Sequence, residues 1–143
     1  MEINITRLDD AFHFRSTNSK GASVDTDLQP ESGGSGDGVS PLELLVASLG
    51  CCTGVDVVSI LKKGKQQLDD FDVAVTAERD GGKPISMITA IHVKFELTGD
   101  IDPAKAARAI KLSAERYCTV TKILEATIAI STSFTVNGVL YDN

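Results

Sequence analysis

The stretch from Ser40 to Gly64 constrains this chain most, because both ends of a helix are written into it. Ser40 can accept from the amide of Glu43 while the Glu43 carboxylate reaches back to the Ser40 amide, a capping box. Pro41 stands at the first helical position, where its missing N–H costs nothing. At the far end Lys62 and Lys63 face the negative pole of the helix dipole, and Gly64 is predicted to take the left-handed closing conformation. Between these signals Leu44, Leu45, Leu49, Val55, Val58 and Leu61 make the rod apolar on nearly every side. Such a helix must be wrapped by protein, so Cys52, at its middle, is expected to be buried or nearly so. A rod of about 30 Å is only half covered by one small antiparallel sheet. A second copy of the chain is the expected cover, giving an obligate homodimer with this helix at its interface.

The 143 residues suffice for one domain, 1–143, with no material for a second. A net charge of −6 argues against nucleic acid, whose phosphates need a basic face. No N-terminal run resembles a signal peptide, and no apolar run reaches about 18 residues without polar interruption, so no membrane partner is expected. Three cysteines form no even-numbered framework, which places the chain in a reducing cytoplasm. His13 and His92 each sit in an alternating strand pattern and read as satisfied or solvent-facing side chains. Neither a metal nor a cofactor is expected.

In chain order, Ile3–Thr6 and Ala11–Arg15 lean to strand, and Asn18-Ser19-Lys20-Gly21 turns the chain into a third strand over Ala22–Asp27. The run from Pro30 to Gly38 is loop by composition, and a flexible connector is the reading preferred over a phosphate cradle. After the helix, Phe71–Arg79 and Met87–Leu97 form a hairpin, with Ile91, Val93, Phe95 and Leu97 on one face. Asp102-Pro103 opens a second, amphipathic helix. Its inner stripe is Ala106, Ala109, Ile110, Ser113, Ala114 and Tyr117. Cys118 ends that helix, a short helical segment runs over Val120–Glu125, a final strand spans Thr127–Val136, and Asn137-Gly138 turns the tail. Strands with antiparallel neighbours, interrupted by two helices, define an α+β fold.

Cys52 and Cys118 are the residues that could carry chemistry. A buried cysteine is most often a small hydrophobe. Two that converge can instead act as a thiol pair, one oxidised and the other condensing with its sulfenic acid. Cys52 is too far from the helix N-terminus for the dipole to lower its pKa, and Asp56, one turn on, would raise it. A thiolate there needs a cation from tertiary structure, with Arg15, Arg79 and Arg116 as candidates. Cys51 points about 100° away from Cys52 around the helix and reads as packing.

The run Gly38-Val39-Ser40-Pro41-Leu42-Glu43 through Ser48-Leu49-Gly50-Cys51-Cys52-Thr53-Gly54-Val55-Asp56 resembles the core of the OsmC/Ohr family, the osmotically inducible and organic-hydroperoxide-resistance proteins. Arg116-Tyr117-Cys118-Thr119-Val120-Thr121 resembles that family's second cysteine motif. The resemblance implies an intertwined α+β homodimer whose paired sites lie at the interface. It also implies a thiol-dependent peroxidase, with Cys52 attacking a hydroperoxide and Cys118 resolving the product as a disulfide. A dithiol reductant of the lipoyl type would reopen that bond. The hydroperoxide-resistance branch carries a glutamate directly after the helix-opening proline; here Leu42 fills that place and Glu43 follows. Glu43 and Arg15 are the supporting residues that the resemblance offers. The alternative expectation is a non-catalytic dimer of the same fold that binds a small ligand or senses redox state.

Overall fold

The structure is a computed structural model that describes residues 1–142. It divides into two compact units, Met1–Leu45 and Val46–Asn143. In the first unit, β1 (Ile3–Arg7), β2 (Phe14–Asn18) and β3 (Ser23–Thr26) form an antiparallel sheet in that order. Arg15 on β2 holds the facing Asp25 on β3 through two 2.7 Å bonds, with His13 Nε2 3.2 Å from the same carboxylate. That clamp, chiefly the Arg15 bond, lowers the Asp25 carboxyl to about 2.

The glycine-rich run is not a flexible connector. It is wound around the carboxylate of Asp27, which is 1% exposed. Asp27 accepts from the amides of Leu28 (2.7 Å), Ser35 (2.9 Å) and Asp37 (3.2 Å). A short 3-10 turn, Pro30–Ser32, completes the loop. Glycine is needed at 34, where a Cβ would fall 2.0 Å from the Leu28 carbonyl oxygen. The amides that could have cradled a phosphate are thus spent within the loop, on the Asp27 carboxylate or, for Gly33, Gly34 and Gly36, on backbone carbonyls.

Helix α1 runs Pro41–Lys63, starting in the first unit and continuing into the second. Its capping box forms as the sequence predicts: Ser40 N donates to Glu43 Oε2 at 2.7 Å, and Glu43 N donates to Ser40 Oγ at 3.2 Å. Its closure differs by one residue. Lys65, not Gly64, takes the left-handed conformation (φ 55°). Bonds from Gln66 N to the Leu61 carbonyl (3.0 Å) and from Lys65 N to that of Lys62 (3.1 Å) complete a Schellman motif.

In the second unit, β4 (Gln67–Arg79) and β5 (Ile88–Asp100) pair antiparallel, β6 (Ala129–Val136) lies parallel to β5, and β7 (Val139–Asp142) closes the edge. The parallel pair corrects the expectation of antiparallel neighbours throughout. The helical crossover between β5 and β6 returns the chain in the same direction, as a βαβ connection must. β7 is a strand beyond those predicted; Asn137 (φ 49°) and Gly138 (φ 80°) turn β6 into it as a two-residue hairpin. His92 is satisfied, its two ring nitrogens each 2.8 Å from a serine hydroxyl of β6, Ser131 and Ser133.

The core lies between this sheet and the helices: Ile91, Val93, Phe95 and Leu97 of β5 bury together with Leu49, Val57 and Leu61 of α1. Glycine decides how closely α1 approaches. A Cβ at Gly50 would sit 2.7 Å from Val75 Cγ2, and one at Gly54 would sit 3.3 Å from the Phe71 ring. Only one face of α1 packs in this way. Val55, on the opposite side, is 71% exposed, and Cys51 is exposed too, so neither is packed within the single chain. By length and composition α1 would also qualify as a membrane span, contrary to the reading of its polar interruptions; in the fold its glycine face lies on β4.

Two substitutions test this architecture. Gly50→Ala should lower the melting temperature by a few degrees, since overpacking against the stiff Val75 costs about 1–3 kcal/mol. That cost outweighs the gain of about 1 kcal/mol that alanine brings to a helix; calorimetric melts check it. At Asp27, burial opposes ionisation, but the surrounding amides overcome it and hold the carboxyl below its ordinary value. Its stabilisation is therefore complete above the usual carboxylate pKa of about 4 and lost as pH falls through the depressed folded value. Asp27→Asn should speed hydrogen exchange at Ser35 and Asp37 and remove that acid dependence, as followed by NMR.

Candidate functional site: a dithiol beside a carboxylate

Cys52 and Asp56 lie one turn apart on the flank of the α1 face that meets the sheet, so their side chains point the same way. The third member comes from the far end of the crossover. Helix α2 (Pro103–Leu112) starts at Asp102, whose side chain accepts from Ala104 N at 2.8 Å, as its sequence predicts. Ala106, Ala109, Ile110 and Ser113 are buried along its inner stripe.

The α2 register does not continue to Tyr117. Residues Ser113–Tyr117 form a π-turn, closed by Cys118 N donating to the Ser113 carbonyl at 2.9 Å. Widening the turn by one residue swings Tyr117 out to 58% exposure, where the helical stripe predicted it inside. The same widening turns Cys118 inward, where it is 0% exposed. Cys118 then caps α3 (Thr119–Leu124), its Sγ accepting from Thr121 N at 3.3 Å.

The result is a compact trio. The sulfurs of Cys52 and Cys118 and a carboxylate oxygen of Asp56 all lie within 4.8 Å of one another. Ser113 Oγ donates to Asp56 Oδ2 at 2.9 Å, tying the carboxylate to the start of the π-turn. The amide of Val120 favours the thiolate of Cys52. Both sulfurs thus lie under the influence of backbone amides in the first turn of α3. Rotating χ1 between staggered wells moves a sulfur by about 3 Å, enough to bring this pair toward a disulfide bond of about 2.05 Å.

The electrostatics follow the expectation for Asp56 but supply no cation. The Cys52 thiol is raised above its ordinary value, first by burial, then by its bond to Cys118, and further by the negative charge of Asp56. Only the Val120 amide pulls the other way. Among the described residues, no arginine or lysine is one of the groups that set this titration. Of the candidate cations, Arg79 donates to the Ser86 carbonyl (3.2 and 2.9 Å), and Arg15 is the clamp on Asp25 in the first unit. Arg116 is exposed on the π-turn. Glu43, the other supporting residue that the resemblance offers, is engaged in the α1 cap.

Ser113 is the member of this site that sequence reasoning assigned only to packing. Its signal is visible in retrospect. A hydroxyl on the apolar stripe of a helix must find a partner, and Asp56 is the one it finds.

An α+β fold with a half-covered central helix, and a pair of sulfurs made by Cys52 of that helix and Cys118 at the π-turn, defines a protein of a recognisable class. A profile of the OsmC-like protein family matches residues 34–133, and the chain belongs to that family. It is 43% identical over 106 residues to Protein YhfA of Escherichia coli K12, across 73% of this chain and 78% of that protein. A hypothetical protein from Aquifex aeolicus VF5 superposes with a TM-score of 0.81 at 29% identity, covering 95% of each chain. An organic hydroperoxide resistance protein OsmC from Legionella pneumophila shares the fold, with a TM-score of 0.69 at 14% identity over 95% of this chain and 98% of that one.

The raised thiol makes a checkable statement. The rate of Cys52 alkylation by iodoacetamide should climb with pH through and beyond the ordinary thiol range of about 8.5, because only the thiolate reacts. Asp56→Asn removes a negative neighbour and should move the whole profile to lower pH, giving a few-fold faster reaction at pH 8. A profile unchanged by that substitution would remove Asp56 from the electrostatics of the site.

Proposed function

We propose that this protein is a thiol-dependent peroxidase working through Cys52 and Cys118. The observation that carries the reading is the convergence of the two sulfurs, brought from chain positions 66 residues apart to within 4.8 Å. In the proposed cycle the Cys52 thiolate attacks the distal oxygen of a hydroperoxide and breaks the O–O bond. The alkoxide leaves, takes a proton and departs as the alcohol, while Cys52 becomes a sulfenic acid. The Cys118 sulfur then attacks that sulfenic sulfur, water leaves, and a disulfide closes. A small dithiol of the lipoyl type reduces it by exchange. The role of Cys118 suits its burial: a resolving thiol needs to meet only Cys52, whereas half-buried Cys52 must meet the peroxide.

The active form in this proposal is an intertwined homodimer in a reducing cytoplasm. Its support is the apolar surface that a single chain leaves open, including Val55 on α1 and, in the first unit, Ile5 at 67% exposure. Glu43 and Arg15 are kept as supporting residues of the proposed site. The cation that Cys52 needs is not among the described residues that act on it.

A second reading has its own observation. Asp56 and burial both hold Cys52 as the thiol, which suits a slow redox-sensing or ligand-holding dimer better than rapid turnover. Stopped-flow mixing with cumene hydroperoxide separates the two. The peroxidase reading expects rapid loss of thiol titre, a Cys52–Cys118 disulfide by mass spectrometry, and turnover with dihydrolipoamide. Cys52→Ser should lower peroxide consumption by at least about a hundredfold, in the range expected for loss of a nucleophile. Equal consumption by that variant would rule the peroxidase reading out; oxidation without turnover would favour the sensor.

A further inference from the structure

The same trio has a second chemical capacity that does not depend on peroxide. Two sulfurs and a carboxylate, drawn from two separate helical segments, converge so that every pair of potential ligand atoms lies within 4.8 Å. A tetrahedral zinc ion, with Zn–S of about 2.3 Å and Zn–O of about 2.0–2.2 Å, sets its ligand atoms about 3.5–3.8 Å apart. Closing from the observed spacing takes shifts on the order of 1 Å, within side-chain adjustment.

The surroundings fit a ligand set rather than three chance neighbours. Cys52 and Asp56 are spaced i, i+4, as paired ligands from one helix must be. The Asp56 carboxylate is oriented by Ser113 Oγ at 2.9 Å, the kind of outer contact that fixes ligating carboxylates. The Cys118 sulfur accepts the backbone N–H of Thr121 at 3.3 Å, and the Val120 amide favours negative charge on the Cys52 sulfur. Two thiolates and a carboxylate would carry three negative charges; a bound dication would leave one, against those two N–H dipoles. Softness narrows the choice of metal. Thiolates select zinc and its thiophilic relatives over magnesium or calcium.

We infer that Cys52, Cys118 and Asp56 form a binding site for a thiophilic divalent cation, zinc in the first instance, with one coordination position left for water or a ligand. Metal and disulfide exclude each other there, because both use the same two sulfurs. Occupancy by zinc would therefore protect the thiols from oxidation, and oxidation would release the metal.

The inference is independent of the peroxidase reading, and the test keeps them apart. The full chain, reduced and stripped with a chelator, is titrated anaerobically with cobalt(II). The expected result is one equivalent per chain, with a sulfur-to-cobalt charge-transfer band in the near ultraviolet, intense tetrahedral d–d bands, and displacement of both by zinc. Cys52→Ser should abolish the charge-transfer band, Asp56→Asn should weaken zinc at least about tenfold, and Cys51→Ser should bind as the parent does. Oxidising the parent to the Cys52–Cys118 disulfide should remove the bands and reduction should restore them, a readout that needs no variant to fold. Absence of a sulfur-to-cobalt band in the reduced parent, or unchanged zinc affinity in Asp56→Asn, would overturn the inference. Peroxide consumption by the same metal-free protein is measured separately, so either reading can fail while the other stands.

Discussion

The structure of the second unit depends on how closely α1 can lie on β4. The notch at Gly50 and Gly54 sets that distance, since Val75, Val73 and Phe71 occupy the volume that larger side chains at those positions would need. Close approach buries Leu49, Val57 and Leu61 against the aliphatic face of β5. It also fixes the rotation of the helix. With the glycine face on the sheet, Cys52 and Asp56 are turned toward Ser113 and Cys118, and Cys51 and Val55 are left exposed. The chemistry of the site is thus a by-product of a packing decision made by two residues that have no chemistry of their own.

The second constraint is the π-turn. One extra residue between the Ser113 carbonyl and the Cys118 amide is what lets Ser113 and Cys118 both point at α1. An uninterrupted α-helix would carry the 110–117 stripe straight on, with Tyr117 inside. The turn gives up regular hydrogen bonding for the placement of a single sulfur, a trade common where helices meet functional sites. The Ser113–Asp56 bond then couples the two helical segments, so the carboxylate that raises the Cys52 thiol is itself held by the element that delivers Cys118.

The two proposed capacities of the trio share one electrostatic fact. A half-buried thiol beside a carboxylate, with no cation acting on it among the described residues, is a poor thiolate until positive charge arrives. A metal ion or a side chain from a second copy could each supply that charge, and each would change what the sulfurs do.

Local signals in the sequence determined the capping box that opens α1, the β4–β5 hairpin with its buried face, the cap at Asp102, the pair of sulfurs and the unfavourable sign of Asp56. Each rests on interactions between residues a few positions apart, or on a period that the chain displays directly. Several features were settled only by tertiary structure. These include the parallel β5–β6 pairing, the β7 edge, the left-handed Lys65, the amide cage that makes the glycine-rich run an ordered loop around Asp27, and the π-turn that exposes Tyr117 and buries Cys118. In the parallel pairing and the π-turn, contacts between distant segments outweigh local preference, whereas Lys65, the β7 hairpin and the Asp27 cage are closed by bonds between near neighbours whose geometry only the folded backbone reveals. How near Cys52 and Cys118 come to each other is of this second kind, because the 65 residues of intervening chain leave that distance to packing alone.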